Sequence, residues 1–207
     1  MLNIIKNVFI ACLGIFSVQS FNILRYHNVT TSEIDFYFCD DISPILEEVT
    51  REVIEEINTY ELFKIKLNKE TRIEHTFNNK NSICNDNLNN HYISEYGFCT
   101  HYLPFYNETD ISISNTLLGI DTNLYNVVLH EVLHALGLDH TNTKGMMNYT
   151  VKLSINKGII KDNSKLYISV DDYDGLTYLY DKLQNDVERN EDECDKNVVI
   201  NFINNCV

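Results

Sequence analysis

The chain has 207 residues, of which 44% are hydrophobic and 11% aromatic, and its formal net charge is −14. This length and composition predict one globular domain with its own core, and they exclude a disordered or fibrous protein. The negative charge, with a sequence pI of about 4.8, repels nucleic acid and anionic membrane surfaces. We therefore exclude nucleic acid as a partner.

The first 20 residues have the layout of a secretory signal peptide. Lys6 precedes an apolar run from Val8 to Val18, and small or polar residues lead to Ser20. Because the run is short for a membrane span, we expect cleavage after Ser20, a secreted extracellular protein, and no stable membrane association of the mature chain. The alternative is an uncleaved N-terminal anchor.

Secretion would bring the cysteines into an oxidising compartment. Loss of the signal peptide leaves five of the six, an odd number, so at least one is expected to remain outside a disulfide. The simplest local pairs are Cys84 with Cys99 and Cys194 with Cys206, although connectivity does not follow from sequence.

Strand and helix patterns alternate in the first part of the chain. Residues 33–40 alternate and are rich in aromatics, which predicts a strand, and residues 63–67 predict a second one. Between them, residues 43–60 have helical apolar spacing, with Ser43 as the N-cap and Pro44 in the first turn. This order predicts a crossover unit with two parallel strands.

The rest of the chain predicts one loop, two strands and two helices. The asparagine-rich stretch 78–91 predicts a polar surface loop, and residues 96–104 and 109–115 alternate as strands do. A helix is predicted from about residue 124 to residue 136, and a last helix over residues 169–184. The candidate N-caps of the first of these helices are Asp121, Thr122 and Asn123.

The segment HEVLHALGLDH, residues 130–140, combines metal-ligand chemistry with a base. His130 and His134 are four residues apart, so their imidazoles lie on one helix face and can bind one ion. Glu131 lies about 100° round the helix, where it reaches a water molecule at the metal without being a ligand. Gly137 allows the chain to turn and return His140 to the same ion. Three imidazoles leave a fourth position open, as a catalytic zinc requires.

These residues resemble the metzincin clan of zinc peptidases, whose pattern HExxHxxGxxH they match in full. The segment GMMNY, residues 145–149, is similar to the clan's Met-turn, with Met147 as the expected equivalent. Within the clan, two segments look like parts of the matrixins, the matrix metalloproteinases. The active-site helix of that family is similar to NLYNVVLHEVLHALGLDHT, and its last helix is similar to SVDDYDGLTYLY. Five fixed positions within eleven residues weigh strongly against a chance match.

The resemblance implies an α+β zincin fold of the metzincin type. A twisted, mixed five-stranded sheet with two long helices would lie above a small C-terminal lobe that contains the Met-turn and a final helix. The segment GFCTHYLP resembles the matrixin edge strand, along which extended polypeptide substrates bind. The resemblance implies that Thr100, His101 and Tyr102 contact the substrate in this chain. The expected organisation is a signal peptide (1–20), a catalytic domain (21–185) and an acidic tail (186–207).

Four departures from the matrixin pattern affect these expectations. No PRCGxPD segment is present, so we expect no cysteine switch, and we expect no hemopexin-like domain. Tyr149 replaces a common proline, and it either ligates zinc as in astacins or packs with a hydrogen-bonded hydroxyl. His101 fits one ligand of the matrixin structural zinc, but its partners are missing. We therefore expect one catalytic zinc ion and neither structural zinc nor calcium.

Together these patterns predict a secreted zinc endopeptidase that cleaves extracellular, including extracellular-matrix, proteins with Glu131 as the general base. Two alternatives stay open: an astacin-like peptidase that uses Tyr149, and a non-catalytic decoy that binds peptides on the same scaffold. Cleavage after Ser20 would also expose Phe21, whose amino group pairs with Asp171 or Asp172 if the resemblance to matrixins extends that far.

Overall fold

A computed structural model describes residues 21–24, 31–73, 78–86, 97–101, 108–117, 121–142, 145–148, 155–156, 159–160 and 167–185. The predicted signal peptide, Tyr102, Tyr149 and the acidic tail lie outside the described residues and stay predictions. Within these ranges no helix is both long enough and apolar enough to cross a bilayer.

A mixed five-stranded sheet forms the centre of the molecule. Its strands are β2 (Glu33–Cys39), β3 (Lys64–Ile73), β4 (Asn81–Asp86), β5 (Gly97–His101) and β6 (Thr109–Ser114). They lie in the order β3-β2-β4-β6-β5. The first four in this order are parallel to one another, whereas β5 at the end of the sheet runs antiparallel to β6. The predicted mixed five-stranded sheet is confirmed.

In the part of the chain that the structure describes, three α-helices accompany the sheet: α1 (Pro44–Asn58), α2 (Asp121–Leu136) and α3 (170–185). The Ser43 side chain accepts a hydrogen bond of 3.1 Å from the backbone N–H of Leu46 and so caps α1 as predicted. α1 joins the parallel strands β2 and β3, which confirms the predicted crossover unit. α2 begins at Asp121, three residues before the predicted start, so the expected cap residues belong to its first turn.

The two long helices cover one face of the sheet. α1 packs against β3 and α2, and α2 also packs against β5 and β6. The apolar side chains between helices and sheet include the largest fully buried ones: Phe36, Phe38, Leu46, Ile57, Ile83, Ile111, Ile113, Leu117, Leu124, Leu129 and Leu133. Burial of this surface holds α2 rigidly against the sheet.

The prediction of a surface loop over 78–91 is wrong for residues 81–86, which form β4 between β2 and β6. Ser82, Ile83 and Cys84 are buried there. Two parallel neighbours override the weak strand propensity of asparagine. The Asn81 side chain binds both neighbours, because its Nδ2 donates to the Asp35 carbonyl at 3.0 Å and its Oδ1 accepts from the Thr109 N–H at 2.9 Å.

A disulfide joins Cys39 to Cys84, so the expected pair of Cys84 with Cys99 is wrong. Cys39 and Cys84 occupy matching positions on the adjacent strands β2 and β4, with their Cα atoms 5.0 Å apart. Cys84 pairs with Ser112 of β6, whereas Cys99 pairs with the preceding residue, Ile111. Successive strand residues point to opposite sheet faces, so Cys84 and Cys99 lie on different faces.

Disulfide mapping tests this pairing. We expect non-reducing proteolysis of the purified protein, followed by mass spectrometry, to yield a peptide pair linked through Cys39 and Cys84, because these side chains are cross-strand neighbours. Reduction should separate the pair. A peptide pair linked through Cys84 and Cys99 would contradict the strand register.

The C-terminal lobe follows α2. It contains β7 (Leu138–Asp139), a turn over residues 145–148, the short antiparallel pair β8 (Ile155–Asn156) and β9 (Ile159–Ile160), and α3. β7 pairs antiparallel with β1 (Asn22–Ile23), which brings the start of the described chain into this lobe.

Candidate metal centre

The candidate metal centre lies on α2 and on the segment that follows it. Buried apolar residues anchor the core side of the helix, namely Leu129, Val132, Leu133 and Leu136. His130 and His134 are half-buried and lie four residues apart on a common face. Their positions are therefore as rigid as the packing of the helix.

The Nε2 atoms of His130, His134 and His140 converge. The separations are 3.1 Å between His130 and His134, 3.1 Å between His130 and His140, and 3.2 Å between His134 and His140. The nitrogen atoms of two imidazoles that bind one tetrahedral zinc ion lie roughly 3.3 Å apart, given Zn–N bonds of about 2.0–2.1 Å. The three residues therefore fit one zinc ion and could hold it.

Backbone carbonyls fix the orientation of two of the rings. The Nδ1 atom of His130 lies 2.7 Å from the Met146 carbonyl oxygen, and that of His134 lies 2.7 Å from the Leu138 carbonyl oxygen. A carbonyl only accepts, so each Nδ1 carries the proton and donates it. Each Nε2 then presents its lone pair to the centre of the cluster, as metal binding requires.

Burial keeps the imidazoles of His130 and His140 neutral. Loss of hydration lowers the pKa of His130 to about 4, and it also lowers the pKa of His140 below its ordinary value. At neutral pH both rings are therefore uncharged, which is the form that binds a metal.

Gly137 connects the helical ligands to the third one. Its φ of 110° lies in the region that other residues rarely adopt, and its N–H donates to the His134 carbonyl at 2.9 Å. The helix ends there and the chain reverses, which brings His140 back over α2. The predicted turn at Gly137 is present.

Asp172 of α3 fixes the turn over residues 145–148 beneath the histidines. Its carboxylate accepts from the backbone N–H groups of Met146 at 2.9 Å and Met147 at 3.3 Å, and from the backbone and hydroxyl of Ser169. Both methionines and Asp172 are buried. Since Met146 in turn orients His130, this carboxylate supports the site from below.

Glu131 is buried beside the cluster, with 6% of its surface exposed. Burial raises the pKa of its carboxyl to about 8. A zinc ion held by the three histidines would oppose this effect. A Cβ added at Gly97 of β5 would lie 2.8 Å from Val127 Cγ1 and 3.3 Å from Glu131 Cγ. The absence of a side chain at Gly97 therefore lets the sheet approach the helix at the position of Glu131.

Of the residues predicted for substrate binding, Thr100 and His101 lie in β5. Within the described residues β5 pairs on one side only, with β6, so it is an edge strand next to α2. Met147 lies in the turn, as expected.

Sequence reasoning missed three contacts of the site, those of Asp172, Gly97 and Asn22, whose Nδ2 donates to the His140 carbonyl at 2.6 Å. From the sequence, Asp172 was predicted only as a candidate partner of the Phe21 amino group. No local pattern marks Gly97 or Asn22, because each contacts the site from a distant part of the chain.

The fold and the histidine cluster together define a zinc metalloprotease of the metzincin type. The sequence model of the matrixin family matches residues 61–181, more than half of the chain. The chain therefore belongs to the matrixin family.

Comparison with solved structures and with curated sequences gave two further findings. The structure is similar to that of high choriolytic enzyme 1, a hatching enzyme zinc-protease from the medaka fish Oryzias latipes, with a TM-score of 0.45 and 13% sequence identity. The match covers 80% of this chain and 96% of that one. A comparison with curated protein sequences found no match.

Proposed function

We propose that the protein is a secreted endopeptidase that cleaves extended polypeptides at a single zinc ion held by His130, His134 and His140. The convergence of the three Nε2 atoms within 3.2 Å of one another carries this proposal. Three protein ligands leave one position open for chemistry. When bound, zinc would polarise both a water molecule and the scissile carbonyl.

Glu131 acts as the general base. It follows the first ligand directly on α2, and its buried carboxylate takes a proton from the attacking water. It then returns this proton to the leaving amine as the peptide bond breaks. β5 approaches α2 closely at Gly97, where an added Cβ would lie only 3.3 Å from Glu131 Cγ, so we propose that this strand limits the positions open to the Glu131 side chain.

The substrate lies along β5 as an added strand. An edge strand offers unpaired backbone donors and acceptors to an extended peptide, so binding depends on main-chain hydrogen bonds. Thr100, His101 and Tyr102 are the proposed contact positions. Extracellular proteins, including those of the matrix, are the proposed substrate class.

Secretion follows from the signal-like segment 1–20, with cleavage after Ser20. The amino group of Phe21 would then pair with Asp171 rather than Asp172, because four donors already surround the Asp172 carboxylate. Such an ion pair is worth only ~0 to 1 kcal/mol. N-terminal sequencing of the secreted protein tests the cleavage, and any start other than Phe21 contradicts the pairing.

Incubation of the secreted protein with a peptide library tests the proposed activity. We expect cleavage of internal peptide bonds, its loss after removal of the metal with a chelator, and its recovery when zinc alone is restored. Peptides that bind the zinc-loaded protein without being cleaved would identify a decoy and overturn the proposed catalysis. A Tyr149→Phe variant that keeps zinc but loses most of its turnover would favour the astacin-like alternative.

Gly97→Ala tests whether the close approach of β5 positions the base. The added methyl group would crowd Glu131 and Val127, so we expect kcat to fall about tenfold or more and stability to fall by about 1 to 3 kcal/mol. Steady-state kinetics and thermal melting measure the two effects.

A double variant separates the effect of Gly97→Ala on kcat from its effect on stability. In Gly97→Ala with Val127→Ala the closest contact, at 2.8 Å, is removed, while the contact with Glu131 remains. Val127→Ala alone is the reference, because it removes buried methyl groups. In this background we expect Gly97→Ala to cost less stability than in the wild type, while kcat stays low. Wild-type kcat in Gly97→Ala alone would exclude a positioning role for Gly97.

A further inference from the structure

The segment of residues 21–24, termed the N-terminal strap, is bonded along the segment that carries the third histidine. Asn22 pairs with Asp139 and Ile23 with Leu138 in an antiparallel register. The Leu24 N–H donates to the Gly137 carbonyl at 2.9 Å. The Asn22 side chain reaches one residue further, and its Nδ2 donates to the His140 carbonyl at 2.6 Å. The strap therefore contacts every residue from 137 to 140.

The third ligand needs such support because it lies outside the helix. His130 and His134 are fixed by α2, which ends at Leu136. Beyond Gly137 the chain forms the two-residue strand β7, whose one strand partner within the described residues is β1. After His140, the Thr141 N–H donates to the Met147 carbonyl at 2.8 Å. A two-stranded ribbon this short is unstable without tertiary anchors.

α3 supplies the anchor for the strap. A Cβ added at Gly175 would lie 2.7 Å from Leu138 Cδ2 and 3.1 Å from Phe21 Cβ and Cγ. The Phe21 ring also lies against Tyr178, with the ring centroids 5.7 Å apart. The strap and β7 are therefore held together against the backbone of α3.

We infer that the strap positions His140 for metal binding, with Asn22 as the positioning residue. Its carboxamide and the main-chain pairing fix the backbone on both sides of the His140 ring, so the ordering of the third ligand is completed before the metal arrives. The inference rests on the proposed assignment of His140 as a ligand. It makes the start of the described chain part of the support of the metal centre.

Zinc affinity measured by competition with a chromogenic chelator tests this role. Asn22→Leu keeps the size of the side chain but loses the donor, and we expect the zinc dissociation constant to rise about three- to tenfold. Asn22→Gln retains a carboxamide and should stay within about twofold of wild type. Gly175→Ala displaces the strap from the side opposite the metal, and we expect a rise of about 10- to 100-fold.

The melting temperature of each metal-free variant shows whether a loss of zinc affinity comes from the position of His140 or from a general loss of stability. Positioning predicts that zinc affinity changes while the metal-free melting temperature of Asn22→Leu stays near wild type. Unchanged zinc affinity in both Asn22→Leu and Gly175→Ala would overturn the inference, as would equal losses in Asn22→Leu and Asn22→Gln. If the wild-type protein itself fails to bind zinc, the proposed function fails instead.

Discussion

Glu131→Gln is expected to keep zinc and to lose nearly all peptide-bond cleavage. Glutamine has the same size and fits the same buried position, but its amide cannot accept the proton of the attacking water. Loss of a general base lowers the rate by about 10²- to 10⁴-fold. We therefore expect kcat to fall by about 10²-fold or more. Metal content, measured by atomic emission, should stay near one zinc per chain.

Glu108→Gln provides a matched control for this substitution. Glu108 is also buried, but it accepts hydrogen bonds from the backbone N–H groups of Asn78 and Asn79, in the bend before β4. Its replacement should leave kcat per folded molecule near wild type. Turnover by Glu131→Gln at the wild-type level would exclude Glu131 as the base, whereas loss of zinc would show that the substitution had damaged the site itself.

Asp172→Ala is expected to release the turn beneath the histidines. The substitution removes the acceptor for the N–H groups of Met146 and Met147 and leaves them buried without their partner. We expect the free energy of unfolding to fall by about 3 kcal/mol. Because the Met146 carbonyl orients His130, zinc should also bind about 10- to 100-fold more weakly.

Asp174→Ala is the control on the same helix. Asp174 is exposed two residues further along α3, so its loss should change neither the unfolding free energy nor zinc affinity appreciably. Chemical denaturation and chelator competition measure both quantities. Wild-type zinc affinity in Asp172→Ala would show that the turn does not support the metal centre. It would contradict the proposed effect of the contacts from Asp172 through Met146 to His130.

Local patterns were sufficient to predict the elements that are regular in sequence. The apolar spacing of α1, with Ser43 and Pro44 at its start, predicted both the helix and its cap, because capping and helical periodicity depend on neighbouring residues. The histidine spacing on α2 likewise predicted a cluster that the structure brings together. Gly137 adopts the positive φ that the turn required.

Tertiary context decided the features that sequence reasoning did not predict correctly. β4 consists largely of polar residues and is a strand because it lies between two others, which no local pattern records. The Cys39–Cys84 pair depends on strand order in the same way, since the two residues are 45 positions apart. Asn22 and Asp172 act through contacts with distant residues, so their roles were also not apparent from local spacing.

The contact between Asn22 and His140 joins residues 118 positions apart in the chain. Contacts of such long range form late in folding, because the entropy of closing the loop must be overcome first. The imidazoles of His130 and His134 lie on one face of α2 as soon as the helix forms. The inferred role of Asn22 implies that His140 takes its position only after the N-terminal strap has bound. A folding intermediate that contains α2 alone should therefore hold zinc weakly, and tight binding should mark completion of the fold.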